Sequence, residues 1–233
     1  ALSSLSTSFN LYSQVKDLGG QADSLTAMSD VHHRLAQFIL AEDCLQDALP
    51  LYGEVQSTQG IANAQERLGR IYTQYGRHDE AQSALRSALS FYSECKDTLG
   101  MANSEHSLGE LYIRQRRFLE AESVLDSALQ RHRDIGDKRG EAITLQSLGS
   151  LYVNCGWLAD AERPLELAVE LYNELNDRLG EASCLHVQGT LFQRLDRLED
   201  SERILKRVLH LQRTMGSRHG EAKALNRLGN VYR

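Results

Sequence analysis

Glycine recurs at Gly20, Gly60, Gly100, Gly140, Gly180 and Gly220, a strict period of 40 residues, and alanine follows two residues later each time, at Ala22, Ala62, Ala102, Ala142, Ala182 and Ala222. A fixed period of this length means one supersecondary unit copied along the chain, each copy too small to bury its own apolar face and obliged to stack on its neighbours. A second signature begins eight residues after the first glycine: Leu68, Gly69, Tyr72, then Leu108, Gly109, Tyr112, then Leu148, Gly149, Tyr152, and finally Leu228, Gly229, Tyr232. The copy at Val187, Gly189 and Phe192 is degenerate, and the first copy, at Met28 and Ser29, is weaker still. Glycine inside a helix costs about 1 kcal/mol relative to alanine, so its repetition calls for close helix contact. Only two prolines interrupt 233 residues, and the abundance of Ala, Leu, Glu, Arg and Gln makes each unit helical.

Later in each unit come small residues at Ala81, Ala121, Ala161 and Ser201, then Leu85, Leu125, Leu165 and Leu205, then Ala88, Ala128, Ala168 and Val208. This spacing puts them on one stripe of a second helix. Asp17, Ser57, Asp97, Asp137, Asp177 and Ser217 share one repeat position and supply the side-chain oxygen that a helix N-cap requires. Glu141, Glu181 and Glu221 then fall in the first turn, where the helix dipole favours an acid. Internal turns are expected near Tyr75–Asp79, Gln115–Phe118, Cys155–Leu158 and Leu195–Leu198. The chain is therefore expected to be an all-α array over 1–233. Residues 1–17 are a half unit (helix B), 18–57, 58–97, 98–137, 138–177 and 178–217 are full hairpins, and 218–233 is a half unit (helix A). The unpaired halves give it the look of an excerpt from a longer protein. Tyr12, Tyr52, Tyr92 and Tyr172 share one position and are expected to pack between helices. Cys95, aligned with Val15, Val55, Ile135, Leu175 and Met215, is expected in the core. Pro50 and Pro164 should bend their helices unless they fall in a first turn.

The net charge is −6 and the basic residues are dispersed, which offers no footprint for nucleic acid. No apolar run reaches the roughly 20 residues needed to span a bilayer, and Ala1–Asn10 lacks the form of a secretory signal, so no membrane association and a cytoplasmic location are expected. Cys44, Cys95, Cys155 and Cys184 form no CxxC pair, against a disulfide framework or a zinc site. No HExxH occurs, and His106 and His186 lie two units apart, too far to share an ion. The carboxylate pairs Asp79/Glu80 and Glu199/Asp200 fall at turn-to-helix junctions, where capping accounts for them. No GxxxxGK[ST] loop occurs in this segment, so a nucleotide switch is expected only in sequence outside it. No catalysis, metal or cofactor is expected.

The spacing Leu68, Gly69, Tyr72, Ala81, Leu85, Ala88 resembles the tetratricopeptide repeat, whose usual unit is about 34 residues. The early tryptophan of that repeat is absent, with Gln65, Glu105, Leu145, Leu185 and Leu225 in its place, and the late proline is replaced by residues such as Ser93. The longer form, D-x-x-G-x-A leading into L-G-x-x-Y, is similar to arrays in Pins-type regulators of G proteins and to the sensor arrays of NLR-like ATPases. The resemblance implies a right-handed superhelical solenoid of antiparallel hairpins whose A helices line a concave groove for a protein or peptide. Carrying the family's groove offsets across gives one column of Asn63, Asn103, Ile143, Ser183 and Lys223, and a second of Glu66, His106, Gln146, His186 and Asn226. A third reads Arg70, Glu110, Ser150, Thr190 and Asn230, and a fourth Gln74, Arg114, Asn154 and Arg194. These positions vary between copies while the Leu, Gly and Ala positions do not, as a surface reading a varied ligand requires; ordinary solvated helix residues are the competing account. Asn63 with Asn103 could bond a ligand main chain, and Arg114 with Arg194 could attract acidic side chains. The Lys and Asn pattern by which some members grip a chaperone tail is absent apart from Lys223 and Arg227. Two alternatives to a scaffold stand beside it: an array that stacks head to tail on copies of itself, and the sensing array of an NLR-like signalling ATPase.

Overall fold

The computed structural model describes residues 1–232 as twelve helices: α1 (Leu2–Gln14), α2 (Leu18–Arg34), α3 (Phe38–Glu54), α4 (Thr58–Tyr75), α5 (His78–Glu94), α6 (Thr98–Arg114), α7 (Phe118–Asp134), α8 (Lys138–Cys155), α9 (Leu158–Glu174), α10 (Arg178–Arg194), α11 (Leu198–Thr214) and α12 (Arg218–Val231). No strand occurs among the described residues. They fall into two compact units, one of Ala1–Arg117 with α1 to α6, the other from Phe118 with α7 to α12. In the first, α2 pairs with α3 and α4 with α5, while α1 lies on α2, α3 on α4 and α5 on α6. In the second, α8 pairs with α9 and α10 with α11, while α7 lies on α8, α9 on α10 and α11 on α12. The even-numbered A helices also touch one another, α2 with α4, α4 with α6 and α8 with α10. They therefore form the closer-packed, inner side of each stack. Each unit is an all-α solenoid segment built from antiparallel hairpins.

The six predicted caps form. Asp17, Ser57, Asp97, Asp137, Asp177 and Ser217 accept a hydrogen bond from the amide of Gly20, Gly60, Gly100, Gly140, Gly180 and Gly220 at 2.9 to 3.2 Å, which satisfies one of the free N–H groups at each A-helix start. The same glycine serves a second purpose. A Cβ on Gly60, Gly100 or Gly180 would lie 2.3 Å from the ring of Tyr52, Tyr92 or Tyr172 in the preceding B helix. Each tyrosine crosses the glycine and delivers its hydroxyl to the A helix of its own hairpin: Tyr52 to Asp23 Oδ1 at 2.7 Å, Tyr92 to Asn63 Oδ1 at 2.6 Å, Tyr172 to Gln146 Oε1 at 3.0 Å.

The second glycine admits a leucine. A Cβ on Gly69 would meet Leu85 at 2.4 Å, and one on Gly149 would meet Leu165 at 2.5 Å. Both leucines are fully buried, as are Ala81, Ala88, Ala161 and Ala168. The two copies that break the small-residue pattern are tied by a serine instead: Ser29 donates to the Ala41 carbonyl at 2.8 Å, and Ser201 to the Gly189 carbonyl at 2.9 Å. In each, a hydroxyl–carbonyl bond ties one helix directly to the backbone of the other across the hairpin.

Successive hairpins are joined at their far edge by a second recurring contact. Tyr72, Tyr112 and Phe192 carry the guanidinium of Arg77, Arg117 and Arg197 at 4.3 Å from the ring centre. The hydroxyls of Tyr72 and Tyr152 donate to Glu42 and Glu122 of the preceding B helix at 3.0 and 2.8 Å. Arg77 also bonds both carboxylate oxygens of Glu42, and Arg197 those of Glu162. Where the arginine is missing, Trp157 packs on Tyr152 with ring centres 6.0 Å apart.

One feature departs from the sequence reading, and two others add to it. Cys95 is exposed, as are Val15, Val55, Ile135 and Leu175 at the same repeat position. That position is the helix C-cap, from which the side chain points past the last turn; apolar identity alone misplaced it in the core. Pro50 and Pro164 lie inside α3 and α9 beyond the first turn, where each removes one backbone hydrogen bond from its helix. The turns fall every 20 residues, each with a left-handed residue, at Lys16, Ala36, Gln56, Gly76, Lys96, Arg116, Gly136, Gly156, Asn176, Asp196 and Gly216. At Lys16 the following amide, Asp17 N–H, bonds back to Tyr12 O while Lys16 N–H bonds Ser13 O, the Schellman arrangement. Only four of these positions are glycine, so residue type alone does not mark the left-handed conformation.

Candidate functional site

The inner face of each unit is built from A-helix side chains that point away from the partner B helix. In the first unit a concavity between α4 and α6 is lined by Arg70, Thr73, Gln74, Ser107, Glu110 and Arg114. The third and fourth predicted columns therefore converge there from two successive helices. Arg70, Gln74, Glu110 and Arg114 are exposed, while Thr73 and Ser107 form the buried floor. An adjoining concavity between α2 and α4 is lined by Ser29, Asp30, His33, Arg67, Arg70 and Ile71.

The first two columns are placed differently. Glu66 is buried, with its carboxylate 3.6 Å from the Arg70 guanidinium. Burial raises its pKa, partly offset by Arg70 and Arg67. It is a shoulder beneath the wall and not part of the open surface. Asn63 has its side-chain oxygen Oδ1 occupied by the Tyr92 hydroxyl, whereas Asn103 in the next A helix, α6, is exposed. His106 is half-buried. Gln74 faces His33 Nε2 at 3.1 Å.

In the second unit, Gln146 accepts from Tyr172 and donates to Ser183 at 3.1 Å, so both belong to one hydrogen-bond chain. Ser150 is half-exposed and Asn154 exposed. Thr190 donates to the His186 carbonyl at 3.1 Å and receives the Arg227 guanidinium. Arg194 is exposed and donates to the Val153 carbonyl. His186 is pushed down to about 4 by burial and by the charges of Arg227 and Lys223.

One inner-face column escaped the sequence reading: Arg67, Ser107, Ser147, Val187 and Arg227, one residue beyond the second column. Arg67 grips Asp30 of the preceding A helix with two bonds, Nε to Oδ1 at 2.9 Å and Nη2 to Oδ2 at 3.2 Å. The variability that marked the other columns was present here as well and would have found it.

Among the described residues no group of three or more His, Cys, Asp or Glu is arranged to hold a metal ion. Apart from Ile143 and Val187, the side chains in these inner-face columns are hydrogen-bonding or charged groups.

The sequence profile of the Tetratricopeptide repeat matches residues 20–94 and 100–174, well over half the chain. The chain belongs to the tetratricopeptide repeat family. A comparison with curated protein sequences finds no match. Among solved structures, this repeat protein is similar to BtubC from P. vanneervenii, with a TM-score of 0.81 and 19% identity over 92% of this chain and 91% of that one. It is also similar to a Rap protein solved in complex with Competence and Sporulation Factor, with a TM-score of 0.71 and 17% identity over 95% of this chain and 66% of that one. A third is the STAND protein PH0952 from Pyrococcus horikoshii, which has a tetratricopeptide repeat sensor. Its TM-score is 0.80 and its identity 14%, over 96% of this chain and 34% of that one. Against the last two, the repeat array spans less than two thirds of the neighbour's length. Identities this low establish a shared fold and nothing finer. Among the described residues no helix is long and apolar enough to cross a membrane.

Proposed function

We propose that this chain is a non-catalytic scaffold that binds a segment of a partner protein along the inner face of its A helices. The observation that carries this is the α4–α6 concavity, where exposed Arg70, Gln74, Glu110 and Arg114 converge over a buried Thr73 and Ser107 floor. Two guanidinium groups, a carboxylate and an amide provide donors and acceptors for both side chains and backbone of a bound segment. Their identities differ at the same position of the other repeats, while the packing residues recur. The complex of the Rap neighbour with Competence and Sporulation Factor supports a binding role for this architecture.

The test is capture of partners from the source cell on the immobilised chain, compared with a Gln74→Ala, Glu110→Ala, Arg114→Ala variant and quantified by mass spectrometry. All three side chains are exposed, so the variant should keep its helical circular dichroism and melting temperature. Selective loss of one or more captured proteins is expected. An identical captured set would place recognition elsewhere.

A second reading is favoured by the likeness to the repeat sensor of PH0952: the array is the sensing part of a larger signalling ATPase. Of the two repeat styles that the sequence resembles, this likeness favours the NLR-like one over the Pins-type. A phosphate-binding loop elsewhere in the same gene product would support it.

A further inference from the structure

The inner face of α10 and α12 differs from that of α2 and α4 in a way that specifies its ligand. Arg67 and Arg227 occupy the same repeat position. In the first unit the preceding A helix offers Asp30, which takes both arms of the Arg67 guanidinium. In the second unit the residue at the Asp30 position is Thr190, and its hydroxyl is what Arg227 reaches. The carboxylate has been exchanged for a hydroxyl while the arginine has been kept. A partly buried guanidinium without an anion is unfavourable, and one bonded to a neutral hydroxyl recovers only part of its lost hydration. The two side chains show this electrostatically. Arg67, which burial alone would lower, is raised by the hydrogen bond and charge of Asp30, whereas burial lowers Arg227 with no opposing anion.

Arg227 is not alone. Lys223 lies one helical turn before it on the same face of α12, and both charges act on His186 of α10. Arg194 of α10 and Arg227 of α12 hold the repeat positions that Gln74 and Ser107 hold in the first unit, where those two residues share one concavity. Arg194 spends one donor on the Val153 carbonyl. Among the described residues none of Arg194, Lys223 and Arg227 has a carboxylate partner. The inner positions of the two helices, Ser183, His186, Thr190 and Arg194 with Lys223, Asn226, Arg227 and Asn230, contain no acid at all. The chain as a whole carries a net charge of −6, so this concentration of unpaired cations runs against its overall balance.

We propose that the inner face of α10 and α12 is a docking surface for a carboxylate-bearing segment of a partner polypeptide, with an Asp or Glu side chain of that segment taking the place at Arg227 that Asp30 takes at Arg67. This rests on the scaffold reading above and adds the chemistry of the partner. Lys223 and Arg194 flank the site on either side along the helix axes, so acidic residues spaced along one extended segment could engage all three. A nucleic acid would need phosphate contacts along a longer basic track, and its binding is an outcome that the test can detect.

The experiment uses the full chain and fluorescence anisotropy with a short, acetylated and amidated Glu-rich peptide, its Gln-substituted counterpart, and a single-stranded oligonucleotide of similar length. The Glu peptide should bind and the Gln peptide should bind about tenfold more weakly or worse, as expected for the loss of several charge-assisted contacts. Arg194→Gln with Arg227→Gln should abolish the difference between the two peptides. Lys223→Glu alters an exposed side chain and should do the same in part, which keeps the test decisive if the double variant is poorly folded. Equal affinity for the two peptides, an unchanged preference in Lys223→Glu, or tighter binding of the oligonucleotide would overturn the proposal. If neither peptide binds, the acidic-segment inference fails by itself; the scaffold reading is judged separately by the α4–α6 capture experiment, which alters none of these residues.

Discussion

Gly60→Ala adds one methyl group to a helix that should welcome it, yet the structure requires it to destabilise the chain. On helix propensity alone the change gains about 1 kcal/mol. The new Cβ, however, would lie 2.3, 2.5 and 2.6 Å from Cδ1, Cε1 and Cγ of Tyr52. The ring has little room to retreat: Tyr52 is 4% exposed, its hydroxyl donates to Asp23 at 2.7 Å, and it lies 3.1 Å from Thr26 Oγ1. Overpacking of this kind costs about 1–3 kcal/mol, and each hydrogen bond given up to relieve it about 1 more. We expect a net loss of about 2–3 kcal/mol once the propensity gain is deducted. In a Tyr52→Ala background the obstruction is gone, and the same Gly60→Ala substitution should stabilise by up to about 1 kcal/mol. The sign therefore reverses, with a coupling energy of about 3–4 kcal/mol. Gly53→Ala is the control, because nothing lies within 4 Å of its added Cβ; it should stabilise in either background. Urea unfolding followed by circular dichroism gives the free energies. Amide exchange in α3 and α4 localises the effect, which matters because stacked repeats can open piecemeal. A Gly60→Ala chain as stable as the parent, or one equally damaged with and without Tyr52, would refute the account of why the glycine recurs.

Ala36 adopts φ 56°, a left-handed conformation that costs a side chain about 1–2 kcal/mol, so Ala36→Gly should raise stability by about 0.5–1 kcal/mol after the entropy of glycine is counted, readable as an upward shift of the melting temperature. The Ser104 hydroxyl is buried without a partner at a position where Ala64 and Ala224 stand in other repeats, and Ser104→Ala should stabilise by about 1 kcal/mol, the desolvation cost of an unsatisfied hydroxyl; a loss would show that the hydroxyl is bonded. His186 titrates near 4 in the folded chain against an ordinary 6.5, so on acidification the unfolded chain takes up this proton first. Stability tied to this group is whole above about pH 6.5 and is lost as the pH falls toward 4. The shift corresponds to roughly 3 kcal/mol before screening and about 1–2 kcal/mol for a half-exposed ring. The difference in unfolding free energy between the parent and His186→Gln, measured across that range, should change by this amount, and a flat difference would exclude the assignment.

The architecture was legible because its determinants are local and repeated. The cap residues, the glycine that both receives the cap and clears the tyrosine, and the Leu-Gly-Tyr run recur at fixed spacing, and the helices begin at the expected caps. The left-handed residues were not legible, because stacking holds Lys16, Ala36, Gln56 and Lys96 in a conformation that their residue types do not favour. Cys95 was misread because its apolar neighbours in register suggested core, whereas a helix C-cap leaves such a side chain on the surface. In the candidate site, Arg70, Gln74, Glu110 and Arg114 were proposed from the family's groove offsets, with variation between copies as the supporting criterion. The same criterion also selected Asn63 and Gln146, which vary for a packing reason: each receives the hydroxyl of a tyrosine from its own B helix.

That distinction turns the repeat into its own comparison series. A difference between copies at one position signals recognition only after the local partner has been checked. Asp23, Asn63 and Gln146 all accept a tyrosine hydroxyl, so their differences preserve one contact. Asp30 and Thr190 do not preserve theirs, since the arginine that each meets either finds a carboxylate or does not. Stacking alone would be served by keeping the ion pair or by losing the arginine together with the acid, as Val187 has at that position. Retaining the cation and dropping its acid leaves a charge with work outside the fold, and it is on this asymmetry, not on the presence of basic residues as such, that the assignment of a carboxylate ligand to α10 and α12 stands.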